Sequence, residues 1–557
     1  MMVPVVLKYL KIEDQATRGF VLGLTSHGFG TAVAAAQPEH FAVAEGQITY
    51  SGPEDWGYRR FILHYAHLCA LAGGVEAFCI GSELRGVTQS RGEGGTYPAV
   101  QALIQLAADV RGILGPSVKI TYAADWSEYF GDHRGGDVVF HLDPLWADAN
   151  IDFIGVDNYL PLSDWREGAD HADAGFGSVH NLDYLSANVA GGEYYDWYYD
   201  SAEGEAYQRR RPIVDEAFGE DWIYRPKDFL NWWSNPHYNR VGGVRAGQSS
   251  DWVPQSKPIR FTEFGCAALD KATNEPNRFL DRLSSESGLP RASTGGVDAF
   301  LQLQYFRAMK RHWSNPVNNP VSVGYGGPMV AFDKSYAWAW DARPYPYFPQ
   351  NAEAWSDADN YPAGHWLNGR ATHVPLDACV TDICLAAGGA APVVDRLQGL
   401  TAGYLVDQSD TARAILQPLS MVMGFDAIED EGQLHFQSRG AAVRGVIEAG
   451  EVVLGAEGAA TKELVRLPHH EAIARWRLGF VEGEGVLEPS AIELSAGRGA
   501  QGGVAQADYN LQLGEAEARA VARRWLLEGG DRGHNRALRL VHFQGDRMAG
   551  EAAPRDE

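Results

Sequence analysis

The chain has 557 residues, 45% of them apolar and 21% charged, a balance that suits two or three globular domains with a large core and excludes wholesale disorder. Its net charge of −25 opposes non-specific binding to nucleic acid or anionic membrane, whose phosphates would be repelled, and is compatible with neutral polysaccharide or protein partners. Five cysteines (Cys69, Cys79, Cys266, Cys379 and Cys384) contain no CxxC pair, so neither a zinc site nor a disulfide framework is indicated. Cys79 and Cys266 lie in or beside apolar runs and read as buried thiols. The opening segment Met1–Lys11 is apolar but too short and proline-broken for a signal peptide, and no run approaches the ~20 apolar residues of a membrane span. The expectation is a soluble protein made in the cytoplasm and not exported by itself.

The first ~350 residues alternate short apolar strands with helical stretches, the pattern of an α/β domain built on a parallel sheet. Val3–Tyr9 and Gly19–Leu24 read as strands. Residues 57–72 read as a helix with Phe61, Tyr65 and Leu68 on one face, leading into the run Phe78-Cys79-Ile80-Gly81-Ser82-Glu83. A second helix is expected over 98–113 through Val100, Leu103, Ile104, Ala107 and Val110. Strands follow at Val118–Ala124, ending on Asp125 and Trp126, and at Ile151–Asp157, ending on Asn158 and Tyr159. After residues 161–257 come the strand Ile259–Glu263, an amphipathic helix near 296–312 and a last strand near Tyr336–Asp341.

Residues 161–257 form a long insertion rich in aromatics: Tyr194, Tyr195, Trp197, Tyr198, Tyr199, Trp222, Tyr224, Trp232, Trp233, Tyr238 and Trp252. A loop this long after a strand is usually functional. Its planar side chains suit stacking on sugar rings, or else they form the insertion's own small core. Beyond the Pro-rich stretch Arg343–Pro349 the character changes. Residues 377–386 and 411–423 read as helices, Phe425–Glu429 and Leu434–Arg439 as a hairpin, and 515–528 as a helix after alternating strands. The expected division is 1–350 and 351–557.

Two glutamates stand out because each closes an apolar run: Glu83 and Glu263. In a barrel of parallel strands the carboxyl end is where active sites are built, and two facing carboxylates are the minimum equipment for cleaving a glycosidic bond. Asp125 and Asp157 also end strands and are secondary candidates. The alternative is that these polar residues hydrogen-bond one another and cap the sheet. His141-Leu142-Asp143 could supply half a metal site, but no third ligand is near in sequence, and His469-His470 reads as surface or turn. Asp270, Lys271 and Lys334 read as solvated or paired loop charges. No Gly-rich phosphate loop or Ser-His-Asp arrangement stands out, and no cofactor or metal is expected.

The stretches WGYRRFILHYAHLCALAGGVEAFCIGSELRG (56–86), HLDPLWADANIDFIGVDNYLPLSDWR (141–166), NWWSNPHYNR (231–240), WVPQSKPIRFTEFGCAALDKATNEPN (252–277) and YAWAWDARPYPYFP (336–349) resemble the TIM-barrel-like domain of gene transfer agent and phage tail proteins. The region 375–530 is similar to the phage tail domain that follows that barrel, through DACVTDICLAAG (377–388), GYLVDQSDTARAILQPLSMVMGFDAIEDEGQLHF (403–436) and ARAVARRWL (518–526). The resemblance implies a TIM (β/α)8-like barrel related to glycoside hydrolases, followed by an α+β tail hub-like region. Glu83 would then end the fourth strand and Glu263 the seventh. Three strands must fit before residue ~75, so the barrel is expected to be incomplete or altered at its amino terminus. The carboxyl end stops where full-length members would continue, and the chain reads as a shortened or remodelled version.

The same resemblance implies a tail-tip host-specificity (baseplate hub) component of a phage-like particle. Its partners would be other tail proteins, cell-envelope polysaccharide such as peptidoglycan, and further copies of itself in a trimer. In retaining glycosidases of this clan the fourth strand ends in Asn-Glu and the seventh in Glu. Glu83 would be the general acid/base and Glu263 the nucleophile. Ser82 stands where that asparagine holds the sugar's 2-hydroxyl. Tyr159 could hydrogen-bond the nucleophile, Trp338 or Trp340 could floor a sugar subsite, and Asn158, Asp157, Trp126 and Asp125 complete the expected substrate-binding set. Two readings stay open: a working glycosidase, and a barrel that binds glycan or only supports the hub.

Overall fold

A computed structural model describes residues 36–54, 57–281, 284, 287–439, 462–466, 473–483, 487–497, 502–531 and 534–538. The expected strands at Val3–Tyr9 and Gly19–Leu24, and His469-His470, lie outside the described residues. The chain divides into two compact units, Met1–Trp340 with Pro362–Trp366, and Asp341–Tyr361 with Leu367–Glu557.

In the first unit a short antiparallel hairpin, β1 (Phe41–Ala44) and β2 (Gln47–Tyr50), precedes helix α1 (Tyr58–Leu71) and strand β3 (Ala77–Ser82). Helix α2 (Pro98–Leu114) opens on a proline, whose missing N–H costs nothing in a first turn, and closes on Gly115 at φ +80°. It leads to β4 (Lys119–Asp125), then β5 (Ile154–Asn158), β6 (Ile259–Phe264) and helix α3 (Ala299–Trp313). The four long strands form one parallel sheet in the order β6-β5-β4-β3. This is the expected mixed α/β architecture on a parallel sheet. Among the described residues the sheet is open.

The last expected strand, near Tyr336–Asp341, is not a continuous ladder. Residues 329–338 run beside β6 and meet it through two isolated parallel bridges, Ile259 with Val330 and Phe264 with Ala337. A short 3₁₀ turn, Phe332–Lys334, loops out between them. Gly265 is required here, because a Cβ would lie 2.3 Å from the Trp338 carbonyl.

The core explains which helix faces turn inward. Strands buried on both sides carry continuous apolar runs, and Phe78, Ile80, Ile120, Val156 and Phe261 are fully covered. On α2 the buried stripe Val100, Leu103, Ala107 and Val110 is the expected one, with Leu106 added and Ile104 only half-covered. On α1 the expectation is corrected. Tyr58, Ile62, Leu63, Ala66 and Cys69 face the core, while Leu68 is 40% exposed. Phe61 and Tyr65 pack against each other with tilted rings, centroids 4.7 Å apart, along the flank. The smaller Ile62 and Ala66 allow the helix to approach the sheet, and the bulky pair takes the margin.

The insertion splits its aromatics. Trp222, Trp232, Trp233 and Trp252 are buried. Trp232 stacks on Trp252 at 5.1 Å, and His237 on Trp252 at 5.7 Å. Those tryptophans are a core. Several others lie half-buried under arginines: Arg210 over Trp197 at 4.3 Å, Arg245 over Tyr238 at 3.7 Å and Arg225 over Tyr195 at 5.2 Å.

The second unit has its own core around Leu376, Val380, Leu419, Phe425, Leu478, Leu511 and Trp525. Helices α4 (Leu376–Ala386) and α5 (Ala412–Met423) precede the hairpin of β7 (Phe425–Asp430) and β8 (Gln433–Ser438), as the sequence pattern predicts. The Thr411 hydroxyl caps α5 by accepting from the Ala414 N–H at 3.3 Å. Strand β9 (Ile473–Glu482) pairs antiparallel with β10 (Pro489–Ser495) and parallel with β11 (Gly503–Leu513), and α6 (Glu515–Asp531) follows.

Arg291 fastens the loop after β6 to the insertion. Its guanidinium takes both oxygens of Glu193 and lies 3.6 Å from Asp164, with all three side chains at most 8% exposed. Removing the cation leaves two buried carboxylates without it, a change that costs about 3–5 kcal/mol. Arg291→Ala should lower the urea midpoint of the transition seen by tryptophan fluorescence. Arg291→Lys should fall between, because a point charge cannot reproduce the two-pronged contact.

Candidate active site

Two β-bulges decide where the site forms. Along β3 and β4, Cys79 pairs with Thr121 and Ser82 with Ala123, so β3 carries one extra residue. Along β6 and β5, Phe261 pairs with Val156 and Glu263 with Asp157, so Thr262 is the extra residue. In a regular strand neighbours point to opposite faces, and a bulge re-aims them. Each bulge lies just ahead of one glutamate.

Gly81 belongs to the first bulge, where a Cβ would meet the Tyr58 hydroxyl at 2.6 Å. Glu83 itself adopts φ +52°, a left-handed conformation that few side-chain-bearing residues take. It is held from both sides. The Glu83 N–H donates to the Ala123 carbonyl at 2.8 Å, and the Leu84 N–H donates to the Tyr122 hydroxyl at 2.7 Å. A backbone kept in so sparse a region marks a place where geometry matters.

Glu83, Asp157 and Glu263 each put a carboxylate oxygen within 4.8 Å of the other two. Glu83 and Glu263 are half-buried and Asp157 is fully buried. The Ser82 hydroxyl donates to Asp157 Oδ2 at 3.0 Å, and the Thr262 hydroxyl to Asp157 Oδ1 at 2.7 Å. The Tyr159 hydroxyl donates to Glu263 Oε2 at 2.6 Å. Burial first, then the Glu263 charge and the bond donated to it, push the Tyr159 phenol well above its ordinary value, so it stays a donor. Burial, with Asp157 and Glu263 next, likewise pushes the Cys79 thiol up.

Two unit charges about 5 Å apart repel by ~3 kcal/mol at an effective dielectric of about 20, worth roughly two pH units of proton affinity. Three carboxylates this close repel one another, the kind of crowding from which an acid and a base side by side are built. They are also the one grouping of His, Cys, Asp or Glu among the described residues with the spacing of a cation site. The hydroxyls directed at Asp157 and Glu263 are donors, and they occupy lone pairs that a cation would use.

The other expected residues are placed as follows. Asp125 accepts from the Ser127 N–H at 2.8 Å and closes a turn. Trp126 is half-buried, its N–H donates to the Asp157 carbonyl at 3.1 Å, and its ring meets Tyr194 of the insertion at 5.5 Å. Tyr194 is another left-handed residue, at φ +66°. The Asn158 side chain accepts from the Leu160 N–H at 3.2 Å, a local backbone contact. The Trp338 N–H donates to the Phe264 carbonyl at 2.8 Å, beside Glu263, while Trp340 is 68% exposed.

His141-Leu142-Asp143 does not form half a metal site. Asp143 accepts from His237 Nδ1 at 2.8 Å and from the Ser250 hydroxyl. Lys271 pairs with Asp270 and Glu167, and Lys334 with Glu76.

Two residues escape sequence reasoning. Thr262 joins the site only through its bulge; the signal available was a hydroxyl residue directly before each glutamate. Glu128 is fully buried beneath the Glu83 turn and accepts from the Thr88 hydroxyl, from the Tyr122 hydroxyl at 3.1 Å and from the Asp125 N–H at 3.3 Å. No periodicity marks it.

The model of the GTA TIM-barrel-like domain family matches residues 56–349, more than half of the 557. The chain belongs to that family. In addition, the model of a putative phage tail protein matches residues 411–540, and that of the LrgB-like family matches residues 1–49. Among solved structures this GTA TIM-barrel-like protein is similar to a chain of the virion of the native gene transfer agent (GTA) particle, at 39% identity over 32% of this chain and 41% of that one, with a TM-score of 0.31. It is also similar to a GH113 β-mannanase from Alicyclobacillus acidocaldarius, solved in complex with ManMIm, at 16% identity over 56% of each chain, with a TM-score of 0.25. The matched part thus spans less than half of the virion chain. No curated protein matches.

Within the GTA TIM-barrel-like domain, burial pushes the Glu128 carboxyl up to about 8, against the hydrogen bonds from Thr88 and Tyr122. Its folded value lies above its ordinary 4.5, so its contribution to stability is full below that pH and is lost as pH rises through about 8. Glu128→Gln keeps the shape without the titration. Relative to that variant, the native protein should lose roughly 3–5 kcal/mol between pH 5 and pH 8, read from thermal unfolding across pH.

Proposed function

We propose that this chain is a tail component of a phage-like gene transfer agent particle, and that its barrel domain cleaves cell-envelope glycan as a retaining glycosidase. The tail assignment is supported by the two matched regions, a GTA TIM-barrel-like domain followed by a putative phage tail protein region. The chemical reading is carried by one observation: Glu83 and Glu263 face each other with oxygens within 4.8 Å. Retaining glycosidases need carboxyl groups about 5–5.5 Å apart, and inverting ones need roughly 6.5–9.5 Å to admit a water.

In this reading Glu263 attacks the anomeric carbon while Glu83 protonates the departing glycosidic oxygen. The bond to the leaving group breaks as the bond to Glu263 forms. Water then enters, Glu83 takes its proton, and the sugar leaves with its configuration retained. Tyr159 holds the nucleophile through its bond to Glu263 Oε2. Trp126 and Tyr194 supply aromatic faces beside the strand ends.

A second reading, a barrel that recognises glycan or supports the tail without cleaving, draws on Ser82. The clan places an asparagine there for the sugar, whereas this serine donates inward to Asp157.

Purified peptidoglycan and capsular polysaccharide, incubated with the native chain, should release reducing sugar. Glu83→Gln and Glu263→Gln should each lose at least ~10²–10⁴-fold of the rate while still binding. No release by folded native protein on either polymer would give the role to binding or support. EDTA should leave the rate unchanged, because both half-reactions run on carboxylates.

A further inference from the structure

We propose that Asp157 is the positioning residue of the site: it fixes both glutamates at once, through one hydroxyl on each of their strands, and its charge keeps the proton on Glu83. For its catalytic consequence this rests on the glycosidase reading above.

The geometry is specific. Ser82 directly precedes Glu83, Thr262 directly precedes Glu263, and each follows or forms a one-residue bulge. The two hydroxyls take different oxygens of the Asp157 carboxylate, Oδ2 and Oδ1. β3 and β6 are the outer strands of the four-stranded sheet and share no ladder, so the clamp spans the sheet. Each bulge shifts the register by one residue ahead of its glutamate, a change that turns the side chains that follow to the other face of the strand. Two irregularities that bring two short hydroxyls to one buried carboxylate are an arrangement that an apolar residue at 157 could not replace.

Asp157 also has a charge to exert. From β3 it is faced by Cys79 and, past the strand end, by Glu83; from β6 by Glu263, with Arg260 acting on the same thiol; from its own strand end by Tyr159. A fixed negative charge among acids favours the proton on whichever of them acts as the acid.

The test is Asp157→Asn in the full chain. The amide keeps the volume, accepts from one hydroxyl and donates to the other. With glycan turnover as readout, kcat should fall more than ten-fold with KM within about three-fold, and the alkaline limb of the pH–rate profile should move at least one pH unit lower. Thr262→Val, a near-isosteric change that removes one hydroxyl, should lower kcat in the native background and change nothing further in Asp157→Ala, which leaves that hydroxyl no partner at 157. That variant also serves if Asp157→Asn does not fold.

A readout independent of turnover separates this proposal from the glycosidase reading. Carbodiimide labels protonated carboxyls, and peptide mass mapping across pH gives the labelling midpoint of Glu83. It should drop by at least one pH unit in Asp157→Asn, even in a protein that cleaves nothing. An unchanged midpoint, or equal Thr262→Val effects with and without Asp157, would overturn the clamp.

Discussion

The register at the carboxyl ends of β3, β5 and β6 is the constraint on which the site depends. Side chains on a strand alternate with a period of two, so one residue more or less moves every following group to the other face. Here the extra residue occurs twice, at Gly81 and Thr262 in effect, and both times it turns a hydroxyl and its neighbouring carboxylate toward Asp157. Three acids crowded within 4.8 Å work against folding. So does a left-handed Glu83. The apolar runs of the sheet, with α1 and α2 packed on it, supply the burial that outweighs both.

The insertion follows the same division between stability and exposure. Its buried tryptophans form a core with Phe140, Phe229 and His237, and its buried acids are matched by arginines, as Glu193 and Asp164 are by Arg291 and Arg210. A chain with a net charge of −25 can bury carboxylates only where hydrogen-bond donors or cations meet them. Arginine does so across the insertion. At the strand ends neutral donors are among the partners: Ser82 and Thr262 donate to Asp157, and Tyr159 to Glu263.

Much of this was legible in the sequence where a pattern repeats. The helices over 98–113, 377–386 and 411–423 announce themselves by apolar spacing, and the buried strands by continuous runs that end on Glu83, Asp125, Asn158 and Glu263. The inward face of α1 was misjudged, because spacing alone does not distinguish Phe61-Tyr65-Leu68 from Tyr58-Ile62-Ala66; close approach to a sheet does. The bulges were invisible for a deeper reason. A bulge is defined by the partner strand, and the pairing of 79–82 with 121–123 is not written in either segment. Thr262 and Glu128 were missed on the same ground, since what makes each matter is a neighbour from another element.

Ser82 ties the end of β3 to the buried carboxylate of Asp157. An asparagine before the acid could present both an acceptor and donors outward to a sugar. A serine has one short hydroxyl, and here it donates to Asp157. At the strand ends the aromatic pair Trp126 and Tyr194 joins the β4 end to the insertion at 5.5 Å. Tyr194 is held left-handed next to Glu193, whose carboxylate Arg291 grips from the loop after β6. The insertion is thereby anchored to the loop that follows the strand carrying Glu263, by an ionic contact within one unit.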